Sequence, residues 1–244
     1  MDSRYSFLLV ILSIVCSANA ASDFTAPFIR KCKWDDSKCI KESAQSAIPI
    51  LAAGIPELGV EKLDPFYMKS LDASSSGLKL LLWDIKGTGL NGCVAKKVQR
   101  DINKSKLIVK LQCSVDFAGK YEMSGRLLIL PIEGKGDAHV VLRKIVITAE
   151  VDIGDNIGQD GEKHWKIKNW KHTYDLKEKS TIELENLFNG NEVLGRAARE
   201  LIASSSNEIV KEVGPPIVKA IIGKIIANVD NFFQSVPASE LAIE

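Results

Sequence analysis

The sequence predicts an α+β fold in which a long C-terminal α-helix is wrapped by a strongly curved antiparallel β-sheet. Three observations lead there. An apolar stripe at helical spacing runs from Val193 to Phe233, several times the mean helix length of about 12 residues. Between Leu78 and Glu185 the hydrophobic period is two, over a succession of segments separated by turn residues. A helix with so much apolar surface is unstable alone in water, so the sheet has to enclose it.

Taken in order, the chain opens on an address. Arg4 supplies a basic start, Phe7 to Val15 is almost unbroken apolar sequence, and Ala18-Asn19-Ala20 offers small residues to a signal peptidase. The run is too short to span about 30 Å of hydrocarbon comfortably. We read residues 1–20 as a secretory signal peptide and residues 21–244 as one domain, exported and without stable membrane insertion.

Asp35 or Asp36 caps a first helix with apolar residues at Ile40, Ala44, Ala47, Ile48 and Leu51, ended by Gly54-Ile55-Pro56. A proline-punctuated stretch follows through Leu63-Asp64-Pro65. Strands are expected at 78–90, 92–101, 106–117, 120–130, 139–153, 163–177 and 180–185. In the clearest one, Leu107, Val109, Leu111, Cys113, Val115 and Phe117 share a face, opposite Lys106, Lys110, Gln112, Ser114 and Asp116. Turns are expected at Asn103-Lys104, Ala118-Gly119, Gly134-Lys135-Gly136-Asp137 and Asp160-Gly161. Gly214-Pro215-Pro216 should kink or divide the final helix.

Composition excludes several classes. With 32 Lys+Arg against 31 Asp+Glu in 244 residues, there is no basic excess for nucleic acid. At 45% hydrophobic and 26% charged the chain is neither disordered nor a multi-span membrane protein. No GxSxG, HExxH, P-loop or dinucleotide fingerprint occurs, so no catalytic residue, cofactor or metal is assigned. The only histidines are His139, His164 and His172, and the last two would lie roughly 26 Å apart along one strand, too far to share a metal.

Removing Cys16 with the leader leaves Cys32, Cys39, Cys93 and Cys113, an even number with three possible pairings. The CxxC spacing of zinc sites is absent. Cys32 and Cys39 flank a short loop before the first helix, while Cys93 and Cys113 lie symmetrically about the Asn103-Lys104 hairpin tip. The second pair meets only if the strand is bulged near Gly92, and the sequence leaves that open. Asn103-Lys104-Ser105 is an N-glycosylation sequon at an accessible tip. The surplus of aliphatic surface either packs solid or leaves a tube between helix and sheet, and composition does not choose.

Blocks spread along the chain carry a resemblance. They include Pro27-Phe28-Ile29, Cys32, Asp35-Asp36, Cys39, Ala47-Ile48-Pro49-Ile50-Leu51, Gly54 to Gly59 and Leu63-Asp64-Pro65. Gly87-Thr88-Gly89-Leu90, Gly119-Lys120-Tyr121, Gly125, Leu130-Pro131-Ile132 and Gly134-Lys135-Gly136 continue the series. Leu187 to Asn191, Leu194-Gly195, Asn207-Glu208, Pro215, Asn231-Phe232-Phe233 and Pro237 complete it. In this order the chain resembles the insect takeout and juvenile-hormone-binding protein family, within the wider group of tubular lipid-binding proteins. The resemblance implies an elongated hydrophobic channel, secretion into haemolymph or another extracellular fluid, and non-catalytic carriage of a terpenoid, fatty acid or other lipid by a monomer. It also implies the Cys32–Cys39 bridge. Dedicated hormone-binding members carry a second bridge in the C-terminal half and a central-strand tyrosine. Here no cysteine follows Cys113, and Val140 to Val151 offers only the hydroxyl of Thr148. That points to a takeout-like carrier, with a true hormone carrier, an extracellular interaction protein and a lipid-handling esterase as the rivals.

On this reading the tube is lined by Ile48 and Leu51 from the first helix, and by Leu82, Leu107, Val109, Leu111, Leu127, Ile129, Ile145 and Ile147 from the sheet. Leu201, Ile209, Val213, Ile217, Ile221 and Ile225 line it from the last helix, with Thr148 and Tyr121 nearest for a hydrogen bond.

Overall fold

The computed structural model of the chain describes residues 25–243, so the expected leader over residues 1–20 and the new N-terminus at Ala21 lie outside it. A two-residue strand β1 (Cys32–Lys33) leads into helix α1 (Ser37–Ala53), capped by the Asp36 carboxylate, which accepts from the Cys39 amide. Seven strands then form one sheet: β2 (Phe66–Asp72), β3 (Leu78–Thr88), β4 (Val94–Asp101), β5 (Lys106–Leu127), β6 (Leu130–Ile157), β7 (Lys163–Leu176) and β8 (Thr181–Leu184). Helices α2 (Glu192–Ser204), α3 (Ser206–Ser235) and α4 (Ala238–Leu241) follow, and β9 (Ala242–Ile243) pairs back onto β1. This is the α+β arrangement expected, with the sheet curved around α3 and not closed.

Two strands form the spine. β5 has 22 residues and β6 has 28; at about 3.3 Å per residue the shorter one is about 70 Å of extended chain. The pair stays in antiparallel register from Lys106↔Asp152 to Leu127↔Leu130. β4 borders the first half of β5 and β3 the second half, while β7 and β8 divide the free edge of β6 in the same way. β5 keeps strict alternation from Leu107 to Met123, and its neighbours bulge around it: β3 between Trp83 and Lys86, β4 between Ala95 and Lys97, and β6 between Leu142 and Ile145. Asp84 and Lys144 in two of these bulges have positive φ, 52° and 49°. Each bulge tightens the local twist, which bends so long a sheet around a helix.

The expected turns at Ala118-Gly119 and Gly134 to Asp137 are not turns. Both segments run inside the spine strands, and the real reversal is at Leu128-Ile129. The glycines serve close approach instead. A Cβ on Gly119 would stand 3.1 Å from the Trp83 carbonyl oxygen at the β3 bulge, and one on Gly134 would stand 2.5 Å from the Tyr121 hydroxyl. β2, a strand the sequence does not predict, begins directly after the proline-punctuated stretch. There the Asp64 carboxylate accepts from the amides of Gly89 (3.1 Å) and Asn91 (2.8 Å), tying the Leu63-Asp64-Pro65 block to the end of β3.

The final helix divides at Ser205, not at the prolines. Ser204 turns its hydroxyl back onto the Leu201 carbonyl (2.9 Å), the competition that makes serine a poor helix-interior residue. Pro215 and Pro216 are exposed within α3. The carbonyls their missing N–H groups leave behind belong to Lys211 and Glu212, both exposed, so water can satisfy them. The far end of α3 is seated by side chains: Asn231 donates to the Gly59 carbonyl (2.8 Å), and Asp230 accepts from the Ile167 amide (2.7 Å).

Both disulfides, Cys32–Cys39 and Cys93–Cys113, are formed. The second is possible because β4 is bulged, as required, between Ala95 and Lys97: the shift in phase buries Cys93 and Ala95 with Val98, on the side to which Cys113 points. No helix among the described residues is long and apolar enough to cross a membrane.

Candidate functional site

Helix α3 does not fill the sheet evenly. Towards Phe232 and Phe233 it packs solidly, with Val151, Ile153 and Trp165 of the sheet, Leu58 and Val60, and the partly buried Leu51 and Leu107. Towards Ile209 the sheet stands away from it, and a cavity of about 190 Å³ opens between them. Its walls are Leu80, Leu82 and Ile85 of β3, and Val115, Phe117, Tyr121, Met123 and Leu127 of β5. β6 adds Ala138, Val140, Leu142, Ile145 and Ile147, and β8 adds Ile182 and Leu184. Along α3 the wall runs Ile209, Val210, Val213, Ile217, Ile221 and Ile225, with Val218 and Ile222 between.

The structure therefore gathers Leu82, Leu127, Ile145, Ile147, Ile209, Val213, Ile217, Ile221 and Ile225 of the predicted residues on one wall. Eight others stand off it. Leu107, Val109 and Leu111 share the inner face of β5 but lie in its first half, beside β4, where α1 and the end of α3 take the space. Neither Ile48 nor Leu51 of α1 lines the cavity: Leu51 packs in the solid half, and Ile48 packs against the cluster around the Cys93–Cys113 bridge. Leu201 lies on α2 before the break. Ile129 is 88% exposed at the spine reversal. Thr148 alternates onto the outer face with Glu150, whose carboxylate pairs with Lys171 at 2.8 Å. The wall also holds Val115, Phe117 and Met123, which continue the alternation of Leu107 to Leu111 and are absent from the predicted lining, and it holds Tyr121, the predicted hydrogen-bonding candidate.

The wall is almost without polar chemistry. Tyr121 is fully buried and its hydroxyl donates to the Glu185 carbonyl at 2.7 Å. Burial, helped by the Glu185 charge, pushes that phenol up to about 12, so it stays protonated. Lys120 touches the cavity, but its ammonium is held 2.8 Å from Asp137, which raises its pKa. Replacing Tyr121 by Phe removes the hydrogen bond to the Glu185 carbonyl, and Glu185 is exposed, so water can take the place of the lost donor. We expect urea unfolding to show a loss of about 0.5–1.5 kcal/mol, with the cavity intact.

None of the three histidines lines the cavity. His139 sits on the outer face between Glu183 (3.2 Å) and Asp116 (2.8 Å), and hydrogen bonding to these two carboxylates raises its pKa. His164 is buried, 3% exposed, with Nε2 2.8 Å from Asp160. His172 is half-buried beside Trp170, and burial, with the Lys219 charge, lowers its pKa. Among the described residues no group of three or more His, Cys, Asp or Glu side chains is placed to hold a metal ion.

The chain is 28% identical to the circadian clock-controlled protein daywake of Drosophila melanogaster, over 93% of this chain and 91% of that one. It is 21% identical to a putative beta-carotene-binding protein of Schistocerca gregaria, over 81% and 80%. The crystal structure of Takeout 1 from Epiphyas postvittana superposes with a TM-score of 0.85 at 32% identity, covering 88% of this chain and all of the other. The family model described as haemolymph juvenile hormone binding protein matches residues 9–243, and the chain belongs to that family.

Proposed function

We propose that the protein is a secreted, non-catalytic carrier of a neutral, elongated hydrophobic molecule, a terpenoid or other lipid, held in the cavity between α3 and the sheet. The observation that carries this reading is the wall itself: aliphatic and aromatic side chains, with its one hydroxyl already bonded and its one ammonium ion-paired outside. Family membership and the name of the Schistocerca relative lend support. The leader over residues 1–20, removed to leave 21–244, and the two disulfides are in keeping with export, and the reading takes the carrier to act as a monomer. With Thr148 on the outer face and no tyrosine between Val140 and Val151, nothing in that stretch would meet a hormone epoxide. A nucleophile for an esterase is likewise not assigned to the wall.

Affinity should then come from apolar area. A slender ligand burying roughly 300–400 Å² gains about 8–10 kcal/mol at 25 cal/mol per Å², before the cost of immobilising it is subtracted. The net should lie near micromolar and strengthen with chain length. Native mass spectrometry of the secreted protein, before and after organic extraction, tests the reading. We expect an extractable non-covalent mass and displacement of a fluorescent neutral lipid. A ligand-free mass together with no binding of neutral alkyl or isoprenoid probes would overturn it.

A further inference from the structure

A second pocket, of about 340 Å³, lies at the opposite end of the spine, and its chemistry differs from the cavity's. Trp34 from the Cys32–Cys39 loop forms one side, and Ile153, Asp155 and Lys163 at the β6–β7 end form another. The third side is the β4–β5 hairpin: Arg100, Asp101, Ile102, Ser105 and Lys106. Trp34 and Ile102 are 42% and 41% exposed, so apolar surface lies open here beside carboxylates and a hydroxyl. The cations are already engaged. Arg100 lies 4.3 Å over the Trp165 ring, Lys106 is 3.2 Å from Asp152, and Lys163 is 3.2 Å from Asp155. Asp101 and Asp155 disfavour an anion, and the three basic groups disfavour a cation. What suits the site is a neutral molecule with many hydroxyls and one apolar face.

The chain supplies such a molecule by covalent attachment. Ile102 and Ser105 bracket Asn103-Lys104, and Ser105 is the hydroxyl residue of the sequon. The tip is a tight turn, with the Ser105 amide donating to the Ile102 carbonyl (3.2 Å) and the Lys104 amide to the Asp101 carboxylate (3.1 Å). Asn103 is exposed at that turn, within one residue of the pocket wall. We propose that this pocket is the seat of the first sugars of an N-linked glycan on Asn103, the apolar face of an N-acetylglucosamine ring covering Trp34 and its polar edge facing Ser105, Asp101 and Asp155. The glycan then joins the hairpin tip to the disulfide loop and closes the solid end of the molecule. The inference rests on the reading that the protein is secreted, since only the secretory route adds such a glycan.

The test uses full-length protein secreted from a eukaryotic host, as wild type, Asn103→Gln, Trp34→Ala and the double variant. Peptide mass spectrometry should find Asn103 glycosylated. Trp34 should oxidise several-fold more slowly in the glycosylated protein than in Asn103→Gln, and trimming the folded protein to a single N-acetylglucosamine should keep that protection. Asn103→Gln should lower Tm by a few degrees in the wild-type background and leave it unchanged in Trp34→Ala. A secreted protein with Asn103 unmodified overturns the proposal, as does equal Trp34 oxidation with and without the glycan, or equal Tm losses in both backgrounds. Lipid binding should be the same in all four proteins; its absence throughout would count against the carrier reading and leave the sugar seat standing.

Discussion

Replacing Val213 by Trp should abolish lipid binding, with affinity for a fluorescent neutral lipid falling about 100-fold or more, equivalent to about 2.7 kcal/mol. Val213 faces the cavity from α3, half-buried, opposite the wall that Tyr121 and Met123 build on β5. An indole there projects into space the ligand needs. Since it enters a void, it should meet less of the overpacking cost of about 1–3 kcal/mol that a filled core imposes. Val109→Trp is the matched control. Val109 lies on the inner face of the same sheet, opposite Ala149, but in the half that is packed and not hollow. It should leave affinity within about twofold, a change under 0.5 kcal/mol, and pay instead in stability. Circular dichroism and secretion yield establish that each variant folds. Should Val109→Trp block binding and Val213→Trp leave it, the ligand lies in the first half of the sheet and the cavity between α3 and β5 is not its site.

That contrast also shows where the sequence stopped being readable. Alternation identified the inner face of β5 without error, because a period of two is local and survives any later packing. It carries no information about which half of that face a helix will press against. The choice depends on α1 lying over β4 and on Phe232 and Phe233 anchoring the end of α3, both contacts between segments distant in sequence. The misplaced turns have a related cause. Gly119 and Gly134 read as chain reversals because glycine usually punctuates, yet both are required by backbone and hydroxyl groups arriving from Trp83 and Tyr121. The helix break failed for the opposite reason. Pro215 and Pro216 are strong local breakers that an exposed position renders tolerable, while Ser204 to Ser206, a weaker signal, made the division. The motif blocks were legible as order and spacing, and their roles emerged only in contact: Asp64 bonds the Gly89 turn, and Asn231 bonds Gly59.

A neutral ester should bind far more tightly than the free acid of the same chain at pH 7. The wall offers a carboxylate no unengaged donor, so the acid must enter protonated or stay out. A carboxyl with an ordinary pKa near 4.5 is about 2.5 pH units from its neutral form at pH 7. At 1.36 kcal/mol per unit, that costs about 3.4 kcal/mol, roughly 300-fold in affinity. The sign follows directly: between about pH 5 and 8 acid binding should weaken about tenfold per unit rise, and ester binding should stay flat. Flatness of the ester is the informative control, because it separates the ligand's ionisation from that of the protein, where His139 has a shifted pKa. Its pKa is raised by Glu183 and Asp116, so the stability it contributes is complete below the unfolded value of about 6.5 and is lost as pH rises through its folded value. That ion pair is on the outer face, about half exposed, and worth little. If acid and ester bind equally and neither responds to pH, the polar end of the ligand is not buried. Recovery of the ester preference in Lys120→Ala would then place the carboxylate on Lys120, and its persistence at equality would place that end in water.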